Sequence, residues 1–121
     1  MTAGLATLDR LGDGQITRKL NRLGDNVRNE LRSVFEAHDI GAKVTGAGSL
    51  FNIHFTKKEV RDAVAASSAD KNKLVEYDLR LIENGVFFLP GHNGALCSAH
   101  ASEDLNRLYR ETEQCVKHFK C

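Results

Sequence analysis

Cys97 and His100 stand three positions apart, with His92 a few residues upstream. These are the first residues here whose types and spacing could do chemistry. A cysteine and a histidine can act as nucleophile and base, and the same side chains ligate zinc. A structural zinc site, however, takes four ligands in two closely spaced pairs, and only half of one pair is present. No metal site is expected. Cys97 lies in an apolar stretch and reads as a small core residue. His100, just ahead of a helix, reads as a side chain bonding backbone at the helix start. Gly46-Ala47-Gly48-Ser49 would cradle a phosphate if a helix followed, because helix N-terminal amides bind anions. A strand-like alternation follows instead, so a hairpin turn is expected. None of the eight lysines follows the glycine-rich pattern of a P-loop. These residues offer no complete active site, and no catalytic residue is assigned.

The elements that would hold them are legible from hydrophobic period. Leu5, Leu8 and Leu11 have helical spacing, and Gly12-Asp13-Gly14 breaks it. From Gln15, the steps Ile16, Leu20, Leu23, Val27, Leu31, Val34 and Phe35 predict one long amphipathic helix ending near Glu36 to His38. Arg18, Lys19, Arg22, Arg28 and Arg32 fall on its other face and read as a solvated stripe with local ion pairs, in preference to a phosphate-binding one. Ala42 to Thr45, the turn, and Leu50 to Phe55 predict a hairpin with Phe51, Ile53 and Phe55 inward. Lys57 to Ser68 reads as a loop with at most a short helix. Ala69 to Asn84 reads as a helix with Leu74, Val75, Leu79 and Ile82 inward, stopped at Gly85. Val86 to Leu89 and Ala95 to Ser98 read as short strands around the loop Pro90 to Gly94. The last helix opens at Ser102, the expected cap, with Glu103 and Asp104 on the positive end of its dipole. Leu105, Leu108, Tyr109, Thr112, Val116 and Phe119 form its inward stripe. The fold class is α+β, one domain over 1–121, with helices covering a small, mainly antiparallel sheet.

Composition narrows the function classes. The chain has 121 residues, 41% hydrophobic and 27% charged, with one proline and ten glycines. Those values exclude disordered and collagen-like chains. A net charge of +1 announces neither nucleic acid nor an anionic membrane as partner. No apolar run approaches the ~18 residues of a membrane span, and the first twelve residues lack the pattern of a signal peptide. Three cysteines, Cys97, Cys115 and Cys121, read as reduced thiols of a cytoplasmic protein, with Cys121 exposed at the end.

Four stretches, in this order and spacing, carry a resemblance: Met1-Thr2-Ala3-Gly4-Leu5-Ala6-Thr7-Leu8; Val44-Thr45-Gly46-Ala47-Gly48-Ser49-Leu50-Phe51-Asn52-Ile53-His54-Phe55-Thr56; Glu83-Asn84-Gly85-Val86-Phe87-Phe88-Leu89-Pro90; and Cys97-Ser98-Ala99-His100-Ala101-Ser102-Glu103-Asp104-Leu105. With them the chain resembles the C-terminal part of class III aminotransferases, in the branch of glutamate-1-semialdehyde 2,1-aminomutase and its relatives.

The resemblance implies the small C-terminal domain of a fold-type I enzyme that uses pyridoxal 5′-phosphate (PLP). It implies that the Schiff-base lysine, the aspartate for the pyridine nitrogen and most phosphate contacts belong to a large domain preceding Met1. No cofactor-binding residue is therefore expected within this chain. The implied role is to shape the substrate cleft and close over it, with Gly48, Ser49, His92 and Asn93 at the cleft lip. The large PLP-binding domain and a homo-oligomer are the implied partners. Two positions depart from the family. The loop Gly91-His92-Asn93-Gly94 lacks the acidic residue found there in the aminomutases proper, and Ala101 stands where the family usually has a threonine cap. A non-enzymatic interaction module derived from the same domain is the alternative.

Overall fold

The computed structural model describes residues 1–119, so the expected exposure of Cys121 lies outside the described residues. Chain order is α1 (Thr2–Leu11), α2 (Gln15–Ala37), β1 (Lys43–Thr45), β2 (Leu50–His54), α3 (Ala63–Ser67), α4 (Lys71–Glu83), β3 (Gly94–Ala95) and α5 (Ser102–Phe119). The sheet runs β1-β2-β3, antiparallel throughout. Val44 opposes Ile53 and Phe51 opposes Gly94. This is the expected α+β architecture.

The period-2 alternation of β2 buries Phe51 and Ile53, with Phe55 just beyond its end. Val27, Leu31 and Phe35 of α2, and Leu105, Leu108, Cys115 and Val116 of α5, meet them in one core. Phe55 is its aromatic centre. Its ring stands edge-on to Phe35 at 5.8 Å, to Tyr77 at 5.7 Å and to Phe119 at 5.7 Å, each such pair contributing about 1 kcal/mol beyond burial. α4 stops as expected. Val86 N–H returns to the Leu81 carbonyl and Gly85 N–H to that of Ile82, with Gly85 at φ +83°, the left-handed conformation this helix end requires.

Several expectations are corrected. On α4 the buried positions are Tyr77, Asp78 and Leu81, whereas Val75 and Leu79 are exposed. The aromatic ring, not the neighbouring aliphatic residues, fills the space under Phe35 and Phe55, and this rotates the helix. Val86 to Leu89 forms no strand. Its side chains alternate, Val86 and Phe88 packing on the core while Phe87 and Leu89 face out. The strand expected over Ala95 to Ser98 is the two-residue β3, and Cys97 is exposed instead of buried, because the chain leaves the sheet after Leu96. Ser102 is the first helical residue and not a cap. The Asp104 carboxylate reaches back to accept from Ala101 N–H at 2.7 Å, capping the helix start from within. Arg28 leaves the solvated stripe of α2 and is buried, whereas Arg32 stays exposed on it; both bear on the turn described next.

Candidate functional site

Gly46–Ser49 is held by backbone-level contact with α2. Gly24 faces the turn so closely that a Cβ there would overlap the Gly48 carbonyl oxygen. One helical turn on, Arg28 is 5% exposed. Its Nη1 donates to the carbonyls of Gly48 at 2.9 Å and Leu50 at 2.7 Å, and its Nη2 pairs with Asp25. Arg32 donates in the same way to the Val44 carbonyl at 2.8 Å. A guanidinium presents several donors in a fixed fork, so two arginines satisfy carbonyls at both ends of the hairpin turn. Gly48 adopts φ +58°, and the Ser49 carbonyl accepts from Leu96 N–H at 3.0 Å, tying the turn to the residue after β3.

The loop Pro90 to Gly94 is held from α4. His92 N–H donates to the Leu89 carbonyl at 2.9 Å, closing a local turn. Gly91, at φ +78°, donates its N–H to Asp78 Oδ2 at 3.0 Å. Asp78 is 4% exposed. Burial pushes its carboxyl above the usual range, and the Gly91 N–H partly offsets this. Asp78 and His92, with Asn52 and Phe88, line a cavity of about 10 Å³ beneath the loop. At the loop's end, Gly94 lies against the Phe51 ring, which leaves no room for a side chain.

The four lip candidates thus occupy two places on one strand pair. Leu50 opposes Ala95 and Phe51 opposes Gly94. Gly48 and Ser49 precede this short ladder, whereas His92 and Asn93 flank its other end. Three residue steps of about 3.3 Å separate Ser49 from Asn52, the position next along β2 toward Asn93. Each pair adjoins a turn tethered to a helix, the first through Arg28 and the second through Asp78, but the two do not converge on a single point.

The remaining chemistry-bearing residues are satisfied locally. His100 Nδ1 accepts from Cys97 N–H at 3.0 Å. That partner assigns the neutral ring's proton to Nε2 and leaves Nδ1 unable to serve as a base for the thiol. The expected backbone bond of His100 therefore exists, with Cys97 and not the helix start as partner. His54 Nε2 meets Thr45 Oγ1 across the hairpin at 3.0 Å, and partial burial lowers its pKa. Among the described residues, no three His, Cys, Asp or Glu side chains gather as a metal site, and no helix is long and apolar enough to cross a membrane.

No family model matches the chain. A glutamate-1-semialdehyde 2,1-aminomutase from Methanothermobacter thermautotrophicus is 34% identical to it, over 99% of this chain and 29% of that protein. The protein of the same name from Persephonella marina is 32% identical, over 97% of this chain and 28% of that one. Among solved structures, a glutamate-1-semialdehyde aminomutase from Pseudomonas aeruginosa PAO1 superposes on 84% of this chain at a TM-score of 0.75, with 25% identity and 23% of that chain covered. The chain is homologous to the C-terminal part of class III aminotransferases. A β-phenylalanine aminotransferase from Variovorax paradoxus shares the fold, at a TM-score of 0.80 with 20% identity, over 84% of this chain and 24% of that one. The chain spans less than a third of the length of these curated relatives.

The aminotransferase cofactor, PLP, needs a lysine at its aldehyde, a cradle for its phosphate and a partner for its ring nitrogen. The described residues of this chain do not fit that group. None of the described lysines is buried. Lys73 is engaged over the rings of Phe119 and Phe55, its Nζ 4.9 and 5.8 Å from their centroids.

Two residues govern the candidate site without being expected there: Arg28, which the sequence places on the solvated stripe, and Asp78, although each carries a signal. Arg28 follows Gly24 by one helical turn on the face that also presents Leu31, and Asp78 sits four after Leu74 and three before Leu81. A charge on an apolar stripe is the mark of a buried, partnered group.

Proposed function

We propose that this chain serves as the small C-terminal domain of a PLP-dependent class III aminotransferase- or aminomutase-like enzyme, and that it does no chemistry alone. A large domain supplies lysine, phosphate cradle and ring partner. This domain closes the substrate cleft, with Gly48–Ser49 and His92–Asn93 as two separately anchored lip segments. The observation that carries this reading is the end-to-end match of the chain to under a third of each aminomutase relative.

The loop between Pro90 and Gly94 further supports a substrate other than glutamate-1-semialdehyde. It offers an imidazole and an amide but no fixed negative charge. A site built around a charged partner loses far more when that partner is missing than one built on methylenes.

The test joins this chain to the large domain of a relative and assays both reactions. Transamination of other amino donors, impaired by His92→Ala and Asn93→Ala, is expected. Efficient formation of 5-aminolevulinate, unaffected by those two changes, would refute the substrate reading. A saturable, stoichiometric absorbance change when PLP is added to the 121-residue chain by itself, abolished by replacing one lysine, would refute the division of labour.

The interaction-module alternative draws on one observation. Leu5, Leu8 and Leu11 of α1, together with Phe87 and Leu89, are exposed, and apolar surface of this kind favours association.

A further inference from the structure

Among the described residues, Asp78 is the one aspartate or glutamate buried in the body of the domain. Leu74, Tyr77 and Leu81 already fill the stripe on which it sits, and a carboxylate placed there costs free energy unless it does something in return. Among the described residues, its bond to Gly91 is also the one hydrogen bond from residues 89–93 to another element, since the bond of His92 to Leu89 is internal to the loop. Gly91 is exposed, and nothing lies within 4 Å of where a Cβ on it would stand.

We propose that Asp78 is the positioning residue of the Pro90–Gly94 loop: by holding the Gly91 amide from α4, it sets where His92 and Asn93 stand. An acceptor that carries charge in a low-dielectric site makes a stronger bond than a hydroxyl or amide would, which suits a loop with a single tether. The titratable side chain facing Asp78 from the loop is His92, on the wall of the same cavity. On α4 itself, its neighbour Tyr77 is buried, and burial raises the phenol's pKa further out of the physiological range. From β2 the facing polar group is the neutral Asn52, and no lysine or arginine lines the cavity. The importance of this tether for a substrate rests on the reading of the loop as a cleft lip, whereas the tether itself does not.

Nuclear magnetic resonance on the 121-residue chain tests it. The Gly91 amide shift is expected to titrate with the same midpoint as the Asp78 carboxyl carbon. Asp78→Ala should speed Gly91 amide exchange at least about tenfold, the scale of one lost charge-assisted hydrogen bond, while the Leu31 amide in α2 stays protected. Asp78→Asn should keep most of the protection but abolish the titration of Gly91. A Gly91 amide blind to the Asp78 titration in the unmodified chain overturns the proposal, as does an unchanged exchange rate in Asp78→Ala. If the alanine variant does not fold, the unmodified chain and Asp78→Asn decide. In the joined enzyme, a tether that passes these tests while His92→Ala and Asn93→Ala leave KM untouched would refute the lip reading and leave the tether standing.

Discussion

Tyr77 Oη and Thr112 Oγ1 lie 2.8 Å apart, and both side chains are almost wholly removed from solvent. The bond joins α4 to α5. Burial raises the Tyr77 pKa further, so its hydroxyl remains protonated. Tyr77→Phe is expected to cost about 1–2 kcal/mol of stability, since it leaves a buried hydroxyl without this partner. Thr112→Val should cost a similar amount, and the double variant less than the sum of the two, because each single change strands the other partner. Denaturant melts of the four proteins measure the coupling. Fully additive costs would show that the bond contributes nothing specific.

Arg28 gives a second prediction. Arg28→Ala removes the donors of the Gly48 and Leu50 carbonyls and should destabilise the chain by about 2–4 kcal/mol. Arg28→Lys should restore only part of this, because an ammonium cannot reproduce the planar fork. Gly24→Ala should act on the same turn by displacement, since its Cβ would overlap the Gly48 carbonyl. Calorimetry tests all three. Full stability in Gly24→Ala would mean that the helix and turn separate freely.

The third prediction concerns pH. The folded Asp78 carboxyl titrates above its ordinary value of 3.8 because of burial. Between the unfolded and folded values, the native chain therefore binds more protons than the unfolded one. The Asp78 contribution to stability falls as pH rises through that window, and is lowest above it. Asp78→Asn, neutral at every pH, should remove this falling component. Relative to the unmodified chain, the variant should gain stability as pH rises from about 4. A pH-independent difference between the two would contradict this assignment. Glu113 works in the opposite sense. Lys117 and His38 hold its carboxyl below the usual range, so its contribution is present above the unfolded value and fades as pH falls through the folded one.

The fourth prediction is self-association. α1 buries none of its residues, leaving Leu5 and Leu8 in water. Sedimentation should show concentration-dependent association that weakens in Leu5→Glu/Leu8→Glu. A strict monomer at high concentration would count against it.

Local sequence determined the existence, order and approximate limits of the helices and the hairpin, because a 3.6-residue or two-residue period is a property of neighbouring residues alone. α2 is legible from Ile16 to Phe35, β2 from Phe51 to Phe55, and the α4 stop from Gly85. The rotation of α4 was decided elsewhere. Val75 and Leu79 are as apolar as Leu74 and Leu81, and only the Phe35–Phe55 pocket, which accepts the Tyr77 ring, selects the face that turns inward. Strand pairing after α4 was likewise a tertiary matter, since Val86 to Leu89 has strand composition but no ladder partner. The candidate site divides in the same way. The glycines of its two turns are visible in the sequence, but their anchors are not. Arg28 reaches the turn across 20 residues and Asp78 reaches Gly91 across 13. A buried charge finds its partner only when the chain has folded back on itself, and no local period encodes that distance.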